Sequence, residues 1–197
     1  MSGLLDNVLG TLMQDQATEK MASKFGVEKS QAQSALATAL PIIMQAMKRN
    51  ASTPEGERAL ENALQKDHSP SILENITDYL EQPNTSEGSK ILDHVLGGKR
   101  STVEQFVSKD SGISSGIVDK LLSAAAPVIM GALAGKKQNS NTNVGNILDS
   151  ITGEMHTRTS SKEQTIIEKL LDQDNDGSIM DDVADIGKSL LGNMFKK

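Results

Sequence analysis

The sequence predicts an all-α protein, a helical array of two similar halves with a helix–loop–helix hairpin appended at the C-terminus. Three observations predict it. Aromatic residues make up only 2% of the chain, with no Trp and one Tyr against 9 Met, and such a core suits packed helices better than strands, which favour aromatic and β-branched residues. Apolar residues recur at helical spacing, and no stretch alternates convincingly. Hydroxyl–proline pairs and S-x-x-E runs stand where helices would begin.

In chain order, Leu4, Leu5, Val8, Leu9 and Leu12 share one helical face, as do Leu36, Leu40, Ile43, Met44 and Met47. Thr53-Pro54 and Ser69-Pro70 place a hydroxyl at the N-cap and proline at the first helical position. Ser101-x-x-Glu104 and Ser160-x-x-Glu163 have the form of capping boxes. Pro41 and Pro127 sit inside helical patterns, where proline removes a hydrogen bond. Each either kinks a central helix or begins a new one after a short break. Polar linkers are expected at 135–143 (GKKQNSNTN) and in GEMHTRTSSKE, 153–163. Ile166, Ile167, Leu170 and Leu171 then mark a short helix. These features divide the chain into a duplicated helical domain at 1–152, a linker at 153–160 and a hairpin at 161–197.

The duplication is read from self-similarity. GVEKSQAQSALATALPIIMQAM, from Gly26, aligns without a gap on GISSGIVDKLLSAAAPVIMGAL, from Gly112, and brings Pro41 onto Pro127. Leu36/Leu122, Ala39/Ala125, Ile43/Ile129 and Met44/Met130 match in the same register. Upstream, LLDNVLG (4–10) is like ILDHVLG (91–97), and downstream ILENIT (72–77) is like ILDSIT (147–152). The copies span about 4–77 and 91–152.

The run I-L-D-H-V-L-G, then a Ser-Gly-Ile turn, then a helix entering A-P-V-I-M-G-A-L resembles the bacterial YidB-like family, the domain of unknown function 937. The resemblance covers most of 1–152 and is strongest over 88–134. It implies an all-helical array with similar halves in cytoplasmic-type bacterial proteins. It implies no activity and transfers no functional residues.

Chemistry concentrates in LDQDNDGSIMDDVADIG, 171–187. Counted as an EF-hand loop, Asp172, Asp174 and Asp176 hold positions 1, 3 and 5, and Gly177 holds the sharp turn. Ser178 offers its backbone carbonyl, and Ile179 is the apolar anchor. Alternate carboxylates converge on one hard cation while glycine lets the backbone wrap it. The match then weakens, with Met180 at position 9 and Val183 where a bidentate Glu belongs. Asp181 and Asp182 stand one or two residues early and are the candidate closing ligands. The expected cofactor is calcium, bound weakly in about the 10⁻⁴–10⁻³ M range because the bidentate ligand is missing.

Other chemistry is excluded or fails on context. The net charge of −6 and the pI near 5.1 leave no strong basic patch for phosphates, so nucleic acid is not an expected partner. Zero cysteines exclude disulfides, zinc–thiolate sites and thiol catalysis. The N-terminus has no basic region before its apolar residues and carries Asp6 and Asp15, unlike a secretory signal. No apolar run approaches a membrane span of roughly 18 residues, and the reading is cytoplasmic. Gly112-Ile-Ser114-Ser-Gly116 spells a nucleophile elbow without its strand, so Ser114 is read as a helix N-cap. Gly131 to Lys136 is too short for a P-loop and reads as a helix end stopped by glycine. His68, His94 and His156 are scattered, and His94, which stands where the other repeat has Asn7, suits a surface position better than a metal ligand.

The functional expectation is therefore a non-enzymatic helical interaction or scaffold protein with an unidentified protein partner and a weak calcium loop. Two alternatives stand beside it. One is an enzyme or small-molecule binder using a cleft between the halves. The other is a peripheral membrane protein using the stripe Ile186, Leu190, Leu191, Met194 and Phe195, edged by Lys188, Lys196 and Lys197. The stripe folding back onto the rest of the protein is preferred over the membrane.

Overall fold

The structure, a computed structural model, describes residues 10–12, 14–66, 69–158 and 161–171. Among these residues the fold is all-α with no strand. In chain order the helices are α1 (Asp15–Phe25), α2 (Lys29–Asn50), α3 (Pro54–Lys66), α4 (Ile76–Glu81) and α5 (Thr85–Leu96). Then come α6 (Arg100–Ser111), α7 (Ser115–Gln138), α8 (Val144–Arg158) and α9 (Ser161–Leu171). Short 3₁₀ turns at Pro70–Ile72 and Gly97–Lys99 precede α4 and α6.

The two long helices, α2 and α7, organise the rest. α1, α5, α6, α8 and α9 pack on α2, while α3, α5, α6, α8 and the first 3₁₀ turn pack on α7. Helices from the second sequence half, α6 and α8, thus lie on the central helix of the first. The core is aliphatic, with Leu36, Leu40 and Ile43 of α2 meeting Leu122, Ala125 and Ile129 of α7, and Met47 and Leu133 are buried in the same core. Every residue from Leu121 to Ala134 is buried. Each Leu, Ile or Met so covered contributes roughly 1.5–3 kcal/mol over leaving it in water.

Pro41 and Pro127 both lie inside continuous helices, so neither begins one. Each deprives the carbonyl four residues earlier, on Ala37 and Ser123, of its intrahelical donor. Gly26 and Gly112, which align in the self-comparison, both adopt left-handed backbone, at φ 69 and 73, to end α1 and α6. The downstream pair departs from this parallel. Residues 72–75 form the end of a 3₁₀ turn and the hydrogen-bonded turn after it, and 76–77 open α4, whereas 147–152 lie within α8.

The start signals met different fates. Thr53 Oγ1 accepts the Gly56 N–H at 3.1 Å, and Ser69 Oγ accepts the Ser71 N–H at 3.3 Å. Ser114 holds the N-cap of α7 by backbone geometry, without a side-chain cap. Ser101, by contrast, lies inside α6, because the preceding 3₁₀ turn starts the helix at Arg100, and Glu104 pairs with Arg100 instead of a cap. Unforeseen caps come from Glu28 with Gln31 on α2 and from Asn84 on α5. The N-terminus of α8 is held from another helix: Glu57 of α3 accepts the Gly145 N–H at 3.1 Å, and Glu61 accepts from Val144 at 3.4 Å. Carboxylates suit that helix end, where N–H groups lack intrahelical partners.

The expected breaks are shorter than composition suggested. α7 runs past Gly135 to Gln138, with Lys137 anchored to Glu61 at 3.1 Å and to the Thr142 carbonyl at 3.0 Å. α8 continues through Gly153 to Arg158, because Ile151, Thr152 and Met155 are buried there and packing outweighs the glycine. α7 is also long and apolar enough to cross a bilayer, contrary to the expectation from composition. Its apolar window is 83% buried in the protein, as befits a core helix.

Candidate functional site

The acidic loop residues Asp172, Asp174, Asp176, Ser178, Asp181 and Asp182 lie outside the described residues. Among the described residues no group of three or more His, Asp or Glu is placed to hold a metal. The described surface instead carries an open groove of about 940 Å³ between α3 and α5. Met47 at the end of α2, Val95 and Met130 are its buried members. Leu60 and Ala63 on one side and Ile91 on the other are half-buried, while Lys66, Lys90 and His94 are exposed and Glu87 is half-buried.

Local sequence explains the shape. On α3 the lining positions Gly56, Ala59, Leu60, Ala63 and Lys66 follow helical spacing. Three of them are Gly or Ala, so the wall is low and another backbone can come close. Gly56 is fixed by crowding, since a Cβ there would stand 1.8 Å from the Asn50 carbonyl oxygen. On α5 the lining residues Glu87, Lys90, Ile91, His94 and Val95 also share one face. At one end of the groove the Asn50 amide, on the last residue of α2, ties that helix to α5 by donating to the His94 and Val95 carbonyls at 3.1 and 3.0 Å. That bond supplies donors to carbonyls left open at the C-terminus of α5.

The opposite face of α5 is held rigidly. Arg100 Nη1 donates to the Ser89 carbonyl and hydroxyl at 2.9 Å each and to Asp93 at 2.6 Å, and Nε reaches Glu104 at 2.7 Å. Nη2 completes the set with Asp119 of α7. Burial by itself would loosen the Arg100 proton, but hydrogen bonds to Glu104, Asp93 and Asp119 outweigh it and hold the guanidinium charged beyond its ordinary range. One planar fork thereby joins α5, α6 and α7.

Next to the groove, sharing Glu87 with it, is a smaller cavity of about 360 Å³ lined by Ser69, Asn75, Tyr79 and Pro127 among others. Burial pushes the Tyr79 phenol up to about 12, helped by the negative charge of Glu87 and opposed in part by the Asn84 backbone. The phenol oxygen makes no hydrogen bond of good geometry among the described residues, so the Asn84 contribution is the weaker one. A folded value raised above the ordinary 10 means the unfolded chain ionises first. Any stability from this shift is whole below pH 10 and is lost as pH climbs towards 12. Because Tyr79 is the only tyrosine, absorbance at 295 nm reads it directly. The native protein is expected to titrate near 12 and the urea-unfolded chain near 10. Coincident curves would place the phenol in water.

The other residues singled out from sequence gather nothing. Ser114 is exposed at its helix start. His94 is exposed on the groove rim, His68 lies outside the described residues, and so does the side chain of His156. The groove itself went unread in the sequence. Its only local signal is a helix, α3, whose lining face is mostly Gly and Ala and whose Leu60 has no large apolar neighbour on that face.

Comparison with known families now bears on this geometry. The model of a bacterial protein family of unknown function, DUF937, matches residues 7–137. The chain belongs to that family. In this member of DUF937 every groove residue, from Met47 to Met130, falls within the matched span, whereas α8, α9 and the acidic loop fall beyond it. No curated protein and no solved structure matches the chain.

Proposed function

We propose that this protein is a non-enzymatic helical interaction module of the scaffold kind, whose α3–α5 groove takes an amphipathic helix from a protein partner. The single observation that carries the reading is the groove: an apolar floor of Met47, Val95 and Met130 between two helices, with charged residues on the exposed rim. A helix laid there would insert apolar side chains spaced at i, i+3 or i+4, and i+7. Small-molecule and catalytic sites gather their polar groups towards the reacting centre, whereas here Lys66, Lys90 and His94 stand on the outside. The helical content and the family membership are consistent with a binding role and name no activity.

The chain is free of cysteine, so Ala59→Cys carries a single environment-sensitive fluorophore at the groove. Titration with a synthetic Leu/Lys amphipathic helix is expected to blue-shift the probe and to saturate in the micromolar range. Leu60→Glu with Ile91→Glu is expected to weaken that binding about 100-fold, the loss of two buried apolar anchors. A titration flat to millimolar peptide overturns the reading.

The acidic loop supplies a second element of the proposal, a weak calcium clip using Asp172, Asp174, Asp176, the Ser178 carbonyl, and Asp181 or Asp182. A ligand bound only by the folded state adds RT ln(1 + [L]/Kd), about 2.7 kcal/mol for a 10⁻⁴ M site at 10 mM calcium. For a chain of this size that is a rise in Tm of roughly 5–10 °C. The rise is expected in chelator-stripped protein given calcium and is expected to vanish in Asp172→Ala/Asp174→Ala. An equal rise in both chains, or none in either, sinks the clip.

A further inference from the structure

We propose that the groove between α3 and α5 is occupied in the resting protein by the chain's own C-terminal stripe, Ile186 to Phe195, so that a partner helix must displace it. The inference rests on the groove reading and adds its resident occupant.

Three observations point to this segment. The first is where the described chain ends. Leu170 and Leu171 of α9 are buried in the core, and Arg49 of α2 donates to the Leu171 carbonyl. Arg49 adjoins Asn50 and lies two residues from Met47, both of which line the groove. The chain therefore leaves α9 at the end of α2 that borders the groove. The connection from Leu171 to Ile186 spans at most about 50 Å when extended, ample to carry the stripe around α2.

The second is length and spacing. The groove face of α3 runs from Gly56 to Lys66, about 15 Å of helix. A helical stripe from Ile186 to Phe195 would be about 14 Å long. Ile186, Leu190, Leu191, Met194 and Phe195 would share one face at i, i+4, i+5, i+8 and i+9. Ala59 and Ala63 leave room for such side chains, and Leu60, Ile91, Val95 and Met130 give them apolar neighbours. The third is charge. The segment joining α9 to the stripe carries Asp172, Asp174, Asp176, Asp181 and Asp182, and the charged residues lining the groove are Lys66, Lys90 and the single carboxylate Glu87, a net charge of opposite sign.

The occupant can be trapped in the full chain by paired cysteines, since a disulfide forms only when the two Cα atoms come within about 7 Å. Ala63→Cys with Leu190→Cys is expected to close an intramolecular bond under mild oxidation, seen as a faster-migrating monomer. Glu19→Cys on the exposed surface of α1, paired with Leu190→Cys, is expected to close at least tenfold more slowly. Equal rates for the two pairs overturn the proposal. Disulfide-linked dimers from the first pair also overturn it, by placing the stripe in a second copy. Preferred closure of Ala63→Cys with Val8→Cys overturns it in favour of the N-terminal segment.

A second readout separates this proposal from the groove reading. In the fluorophore titration, Leu190→Lys with Leu191→Lys removes the competitor and is expected to tighten peptide binding at least tenfold. Unchanged peptide binding defeats the resident stripe and leaves the groove intact. No peptide binding by either chain defeats both.

Discussion

Gly88→Ala is expected to destabilise the protein by about 3–5 kcal/mol, lowering Tm by roughly 6–20 °C. A Cβ at Gly88 would stand 1.6 Å from the carbonyl oxygen of Ser123 and 2.5 Å from its carbon. Those atoms are backbone of the buried helix α7, so no side chain can rotate away to make room. The two helices would have to separate along their contact, uncovering Leu92 on one and Leu122 on the other, both fully buried now. The position has a local logic. Pro127 has no N–H, so the Ser123 carbonyl lacks its intrahelical donor, and a helix with a bare Cα can lean on it through a C–H···O contact. Gly116→Ala is the control, because it lies in the first turn of α7 with nothing within 4 Å of its missing Cβ. That change is expected to be neutral or to add up to about 1 kcal/mol through helix propensity. Thermal and urea unfolding of the two variants decides the matter. A Gly88→Ala chain within 1 kcal/mol of the parent would mean the helices are not in backbone contact.

Arg100→Ala is expected to cost about 3 kcal/mol, most of it through Glu104. The side chains of Arg100 and Glu104 are each only 15% exposed. Removing the guanidinium leaves that carboxylate with little water and no partner, facing Asp93 and Asp119 as like charges. Asp93 and Asp119 are more exposed, at 65% and 39%, so Asp93→Asn and Asp119→Asn are expected to cost under about 1 kcal/mol each. Arg100→Lys is expected to recover less than half of the loss, because an ammonium cannot bind Glu104, Asp93, Asp119 and the Ser89 carbonyl from one plane. Urea unfolding of the four variants tests the ranking. Equal costs for Arg100→Ala and Asp119→Asn would mean the fork joins exposed charges only. Because α5 forms one wall of the groove, Arg100→Ala is also expected to weaken the peptide binding described above without touching a groove residue.

Much of the architecture was legible in the sequence, for a physical reason. Helix period, turn glycines and hydroxyl caps act between residues three or four apart, so Leu36, Leu40, Ile43 and Met47 declare their shared buried face unaided. Thr53 caps α3 because its hydroxyl needs only the N–H of Gly56. Gly26 and Gly112 end helices because only glycine enters left-handed backbone without strain. The family resemblance, carried by residues 88–134, was readable in the same way.

Where a local signal was overruled, a distant partner overruled it. Ser101 lost its cap because the preceding turn delivers Arg100 into the helix, where Glu104, Asp93 and Asp119 arrive from three elements. Gly135 and Gly153 fail to stop their helices because Glu61 holds Lys137 and the core covers Met155. The groove belongs to the same class. Neither Leu60 nor Ile91 marks a site alone, and the two become facing walls only when α5 is seated on α7 through Gly88 and clamped by Asn50. The sequence by itself determined that the chain is all-helical and which face of α2 is buried, through Leu36, Leu40, Ile43 and Met47. Only the tertiary structure decided how close α5 approaches α7, which charges meet at Arg100 and where a groove opens. Those outcomes depend on contacts between residues tens of positions apart, which no local pattern encodes.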